Sequence, residues 1–123
     1  MNVLVVDDFS GMRNVLKQIL RQIGFINVLE AEDGAKALEI IKNNNVGVAF
    51  VDWQMPNMNG FELLKAVRAD ESINKLPFII VTAHGQKEKI ISAYQEGVSC
   101  FIVKPFTAKT VKEKLEVVFS RKN

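Results

Sequence analysis

Five short apolar runs punctuate the chain: Val3–Val6, Val28–Ala31, Val48–Val51, Phe78–Val81 and Cys100–Val103. Each is nearly continuous rather than alternating, the pattern of a parallel strand covered on both faces. Between the runs, apolar residues recur at helical spacing. Val15, Leu16, Ile19, Leu20 and Ile23 make one stripe, with Ser10 placed to cap its start and Gly24 to stop it. Ala37, Leu38 and Ile41 follow Asp33; Leu63, Leu64 and Val67 follow Gly60. Ile90, Ala93 and Tyr94 end near Gly97, and Val111, Leu115 and Val118 stand behind Thr107, a second capping residue. The alternation is (βα)5 over one unit, residues 1–123, and predicts a doubly wound parallel five-stranded sheet with helices on both faces.

Right-handed crossovers make 2-1-3-4-5 the expected strand order, and ligands in such sheets bind beyond the carboxyl ends of the strands, where the winding reverses. The residues at those ends are not random. Strand 1 runs into Asp7-Asp8, strand 3 into Asp52, strand 4 into Thr82 and strand 5 into Lys104-Pro105. Strand 2 offers only Glu30 nearby. Taken singly, an Asp-Asp pair or a strand-end Thr or Lys is an ordinary loop residue. Jointly they bring three carboxylates, a hydroxyl and an ammonium to one edge. Carboxylates that close repel unless a cation joins them, and an all-oxygen donor set suits a hard divalent ion such as Mg²⁺. A metal, a lysine and a hydroxyl together neutralise a phosphoryl group in transfer, and an aspartate can accept that group covalently.

Composition adds exclusions. Apolar residues at 48% and charged residues at 24% fit a soluble globular domain that buries its own core. The lone Cys100 rules out an internal disulfide and a cysteine metal site, so a reduced cytoplasmic setting is expected. No apolar run approaches the roughly 20 residues of a membrane span. The net charge of +2 gives no reason to expect nucleic acid. It is unevenly placed: residues 84–123 carry 8 Lys/Arg against 4 Asp/Glu, whereas residues 1–83 carry 8 against 10. That excess is either a solvated helical surface or a face for an acidic partner.

Four segments carry a resemblance: Val-Asp-Asp-Phe-Ser (6–10), Val-Asp-Trp-Gln-Met-Pro-Asn-Met-Asn-Gly (51–60), Val-Thr-Ala (81–83) and Val-Lys-Pro-Phe-Thr (103–107). Together they resemble the receiver domain of two-component signalling, in order along the whole chain, and most of all the stand-alone chemotaxis receivers. The resemblance implies a flavodoxin-like fold and a Mg²⁺-dependent phosphoryl transfer to Asp52 from a sensor histidine kinase. It implies metal binding by Asp8 directly and Asp7 mainly through water, completed by Asp52 and the backbone carbonyl of Gln54, and contacts of Thr82 and Lys104 with the phosphoryl group. It also implies a cis peptide between Lys104 and Pro105. Phe101 stands where the family carries its switch aromatic; the plainer alternative is a core phenylalanine. A partner face including Phe101, Val103, Phe106 and Lys114 would then engage the flagellar motor switch or another protein, with a phosphatase to reset the signal. The molecule is expected to act as a monomer.

Some positions depart from the chemotaxis pattern. Phe101 replaces the usual tyrosine and so lacks its hydroxyl. Gln54 replaces an asparagine and His84 an acidic residue, at positions that tune dephosphorylation in the family; His84 reads also as a plain loop histidine. Trp53 beside the acceptor should sense the metal site, Cys100 reads as a buried strand residue, and Met55 and Met58 as loop packing. The alternative within the class is an intermediate receiver passing phosphate to a histidine phosphotransfer protein. A phosphohydrolase would need an Asp-x-Asp on strand 1, and a flavin binder a phosphate-cradling loop where Asp7-Asp8 stands. Neither motif is here, and an acceptor that is not an enzyme in the turnover sense is the expectation.

Overall fold

The computed structural model describes residues 1–83 and 85–120. Strands β1 (Asn2–Val6), β2 (Asn27–Ala31), β3 (Val46–Asp52), β4 (Phe78–Thr82) and β5 (Cys100–Val103) alternate with helices α1 (Ser10–Ile23), α2 (Gly34–Asn43), α3 (Gly60–Ala69), α4 (Lys87–Gln95) and α5 (Ala108–Ser120). All strand pairs are parallel, in the order β2-β1-β3-β4-β5. The continuous apolar runs follow from burial on both faces. On one face Leu4, Val6, Ala49, Val51, Phe78 and Ile80 pack with residues of α2, α3 and α4. On the other, Val3, Val5, Val48, Phe50, Ile79 and Ile102 pack under α1 and α5, through Leu16, Leu20, Val111 and Leu115. Alternate residues of one strand thus feed opposite cores.

Most helix starts follow the expected chemistry. Asp33 caps α2 by accepting the Lys36 N–H at 2.8 Å. Asn59 and Glu62 form a reciprocal capping box on α3. Thr107 Oγ1 accepts the Thr110 N–H at 3.2 Å at the head of α5. Ser10 departs from expectation. It is the first helical residue rather than the cap, because Asp7 Oδ1 takes the Phe9 N–H at 2.9 Å and turns the chain one residue earlier. Val15 and Tyr94, placed in apolar stripes, are about half exposed, at 47% and 49%. The turns of α1 and α4 bury a narrower face than the stripes suggested.

The register then sets the functional edge. Val6 pairs with Val51, Asp52 with Val81, and Thr82 with Val103, so the carboxyl ends of the four adjacent strands finish level.

Candidate functional site

At that edge Lys104 reaches back across the sheet. Its Nζ lies 3.3 Å from Asp7 Oδ2 and 3.3 Å from Asp52 Oδ1. Asp8 joins them: among the described residues Asp7, Asp8 and Asp52 can each offer a carboxylate oxygen within 4.8 Å of the others. Three carboxylates facing one ammonium leave an excess of negative charge in a partly desolvated place. Burial pushes the Asp52 carboxyl above the ordinary aspartate range, opposed by the Lys104 charge and reinforced by that of Asp7. A small divalent cation would relieve this repulsion, and an all-oxygen donor set with few carboxylates fits Mg²⁺. The residues present suit such an ion.

The surrounding loops pack closely around the end of β3. Gly60 donates its N–H to the Trp53 carbonyl at 2.8 Å. The Gly60 Cα passes so close to the Asp52 carbonyl oxygen that an added Cβ would collide with it. Asn57 takes a left-handed φ of 68° and donates from Nδ2 to Asp33 Oδ2 at 3.0 Å, while Gly34 N–H reaches the Met58 carbonyl at 3.1 Å. The 53–59 loop is therefore pinned to the start of α2. Gln54 sits exposed in it, and Met55 and Met58 pack partly against the α2–α3 core, as read from the sequence.

Thr82 is 2% exposed at the end of β4, and its carbonyl accepts the Lys104 N–H at 2.8 Å. The Lys104–Pro105 peptide is cis. Phe101 is buried, with its ring centroid 6.3 Å from Trp53 and 6.4 Å from Tyr94, and Trp53 stacks on Phe61 at 5.3 Å. Of the other residues expected on a partner face, Val103 is 49% exposed, Lys114 is half-buried, and Phe106 packs partly against the α1–α5 core. Cys100 is buried and free of disulfides. His84 lies outside the described residues.

Sequence reasoning missed Arg13. From α1 it donates Nη1 to the Asp7 carbonyl at 2.6 Å and Nε to Glu30 Oε1 at 3.0 Å. Glu30 therefore does not converge on the carboxylates; it holds Arg13 and also Lys17, at 2.9 Å. The available signal was the Arg13/Lys17 spacing of one helical turn opposite the single acid of strand 2.

A switch-point edge carrying three carboxylates and a lysine defines a class, and the comparisons agree on it. Residues 3–116 match the response regulator receiver domain, and the chain belongs to that family. Within the family it is CheY-like. It is 49% identical to chemotaxis protein CheY of Pseudomonas aeruginosa over 123 residues, covering 100% of this chain and 99% of that one. It is 50% identical to CheY-3 of Vibrio cholerae over 121 residues, covering 98% and 93%. Among solved structures, Vibrio cholerae CheY4 aligns with TM-score 0.87 at 34% identity, covering 95% and 97%. A Borrelia burgdorferi complex of CheX and CheY with BeF3 and Mg²⁺ aligns with TM-score 0.92 at 29% identity, covering 98% and 90%. No described helix is long and apolar enough to cross a membrane.

Proposed function

We propose that the protein is a phosphoacceptor switch in chemotaxis, taking a phosphoryl group on Asp52 from a phosphohistidine of a sensor histidine kinase. The observation that carries this reading is the Lys104 ammonium held 3.3 Å from both Asp7 and Asp52 at the sheet edge. An Asp52 carboxylate oxygen attacks phosphorus, and the phosphorus–nitrogen bond breaks with its electron pair passing to the imidazole. That ring, protonated on its other nitrogen, leaves neutral, and an acyl phosphate remains on Asp52. Lys104 pairs with the new phosphoryl oxygens and Thr82 donates its hydroxyl to one of them. Asp7, Asp8, Asp52 and the Gln54 carbonyl would hold Mg²⁺, whose charge offsets that of the phosphoryl group. The Mg²⁺ in the Borrelia burgdorferi CheX–CheY complex supports this choice of ion, and the presence of CheX in that complex supports a protein partner.

Drawing Thr82 toward the phosphoryl group opens space into which Phe101 can settle, which changes the α4–β5–α5 face that Tyr94 and Val103 share. A partner senses the switch only if it binds the two states unequally. The full-length relatives named chemotaxis proteins support the flagellar motor switch as that partner. The protein acts as a stoichiometric monomeric acceptor with its own slow dephosphorylation rather than as a turnover enzyme, and a phosphatase resets it.

Trp53 follows Asp52 directly and is 9% exposed, so its fluorescence tests the reading. Mg²⁺ followed by acetyl phosphate should change the signal in two steps, and Asp52→Asn should abolish the second. A donor response that survives Asp52→Asn would overturn the acceptor assignment. Binding of an acidic motor-switch peptide only after phosphorylation supports chemotaxis; transfer of the phosphate to a histidine phosphotransfer protein instead would make the chain a relay intermediate.

A further inference from the structure

We infer that Arg13 is a positioning residue for the metal site, fixing the direction of Asp8 through the Asp7–Asp8 peptide, with Glu30 holding Arg13 in place. The inference rests on the phosphoacceptor reading above and extends it to residues outside the carboxylate cluster.

The argument starts from how unequally the three carboxylates are held. The polar groups of Asp7 are occupied on every side. Its N–H donates to the Ala31 carbonyl at 3.2 Å, and its Oδ1 accepts the Phe9 N–H at 2.9 Å. Its Oδ2 faces Lys104 at 3.3 Å, and its carbonyl accepts Arg13 Nη1 at 2.6 Å. Asp52 has Lys104 and the Trp53 N–H. Asp8 is exposed, and among the described residues no hydrogen bond or ion pair holds its carboxylate. Its direction therefore comes from its backbone. The peptide that leads into Asp8 is planar, so fixing the carbonyl of Asp7 fixes the plane from which the Asp8 side chain departs. Arg13 is the side chain that fixes it.

Arg13 is itself constrained. Glu30 stands on β2 opposite Val5, its Oε1 taking Arg13 Nε at 3.0 Å and its Oε2 taking Lys17 Nζ at 2.9 Å. A guanidinium can reach a carbonyl and a carboxylate at once through different nitrogens; a lysine ammonium on its flexible stem has no such fork. The charge of Arg13, even paired with Glu30, gives no help to a metal, because a cation next to a metal site repels it. Positioning and charge thus predict opposite signs on removal of Arg13.

The test is Mg²⁺ titration of the full chain by calorimetry, without a phosphodonor, with thermal unfolding in EDTA to confirm that each variant is folded. Arg13→Gln should weaken Mg²⁺ binding about tenfold, the lower end of what outer partners of metal ligands contribute. Arg13→Lys keeps the charge and should weaken it too, which keeps the inference testable if Arg13→Gln does not fold. Glu30→Gln should weaken Mg²⁺ binding in the wild-type background and have little further effect beside Arg13→Gln, as coupled neighbours do. Unchanged or tighter Mg²⁺ binding in the folded Arg13 variants overturns the role of Arg13 and leaves the metal site standing. Absence of Mg²⁺ binding in the wild type overturns both.

Discussion

Lys104 Nζ stands 3.3 Å from Asp52 Oδ1 although the two residues are 52 positions apart, and the same nitrogen is 3.3 Å from Asp7. One ammonium is shared by two carboxylates that would otherwise repel. Replacing it with an apolar chain of similar length removes the only side-chain cation paired with them among the described residues. Lys104→Met should slow phosphorylation by acetyl phosphate at saturating Mg²⁺ by about 100-fold, the loss expected for one well-placed electrostatic donor. Stopped-flow Trp53 fluorescence gives the rate. A rate within threefold or so of wild type would show that Lys104 does no more than balance charge in the resting site.

The crowding of carboxylates has a cost to the fold that depends on pH. Burial raises the Asp52 carboxyl above its unfolded range. A group with a raised folded pKa stabilises the fold below its unfolded pKa, and that contribution is lost as pH rises through the folded value. In EDTA at neutral pH, Asp52 therefore weighs against folding. Asp52→Asn should raise Tm there by several degrees, on the scale of about 1 kcal/mol. Mg²⁺ should raise the Tm of the wild type at pH 7 by binding only the folded state, and this increment should fade as the carboxylates protonate in acid. Calorimetric scans at pH 4 and pH 7, with and without Mg²⁺, check both. A Mg²⁺ increment of equal size at the two pH values would count against ligation by carboxylates.

Glu30 runs the other way. The Lys17 hydrogen bond first, and Arg13 with it, hold its carboxyl below the usual glutamate range despite some opposing burial. A lowered folded pKa gives stability that is present above the unfolded value and is lost as pH falls through the folded one. The stabilisation should therefore be complete near neutrality and be lost on acidification below the ordinary glutamate range, about pH 4.3. Urea unfolding from pH 3 to pH 6 should show Glu30→Gln less stable than wild type at pH 6, with the gap closing in acid. A gap that is constant over this range would mean that the charge of Glu30 is irrelevant to it.

Far from the site, at the amino edge of the sheet, Arg68 fastens two loops. Its Nε donates to the Gly97 carbonyl at 2.9 Å and its Nη1 to the carbonyls of Asn74 at 3.0 Å and Leu76 at 2.6 Å. Burial lowers its pKa. Arg68→Ala strands partly buried carbonyls, each costing about 1–3 kcal/mol, so a loss of about 3 kcal/mol is expected. Mg²⁺ affinity should stay as in wild type, since no carboxylate of the site touches these loops. Denaturant midpoints and Mg²⁺ titration on the same variant separate the two effects; a large fall in metal affinity would contradict the separation.

The parts of this molecule legible from the sequence are those that periodicity and topology dictate. Continuous apolar runs set parallel strands, strict alternation set the winding, and the winding placed Asp7, Asp8, Asp52, Thr82 and Lys104 on one edge. What stayed hidden depends on distances between segments that no local pattern encodes. Arg13 looks like a surface helical cation until Glu30 is seen on the neighbouring strand. Ser10 looks like a cap until the Asp7 side chain takes the Phe9 amide. Val15 fits an apolar stripe, yet only the packed structure shows that α1 turns Leu16 and Leu20 inward and leaves Val15 outside. Gly60 marks only the start of an apolar stripe in the sequence, whereas in the structure it lets α3 begin against the Asp52 backbone.

That last relationship makes a sharp prediction when two glycines are compared. A Cβ on Gly60 would strike the Asp52 carbonyl oxygen and approach the Trp53 Cα at 3.0 Å. Both are backbone atoms of the Asp52–Trp53 segment, so the loop must move to admit a methyl group. The three atoms nearest a Cβ on Gly47, inside β3, all belong to the Met1 side chain, part of a terminal residue 62% exposed that can swing away. Gly60→Ala should therefore destabilise the fold by about 2–4 kcal/mol, the range of overpacked and strained sites. It should also weaken Mg²⁺ binding, because the displaced peptide carries Asp52 and leads to Gln54. Gly47→Ala should be neutral or stabilising by about 0.5 kcal/mol through lower entropy of the unfolded chain, with Mg²⁺ affinity unchanged. Parallel urea titrations and Mg²⁺ titrations decide it. If Gly60→Ala were as mild as Gly47→Ala, the close approach of α3 to the Asp52 backbone would not be what fixes the site.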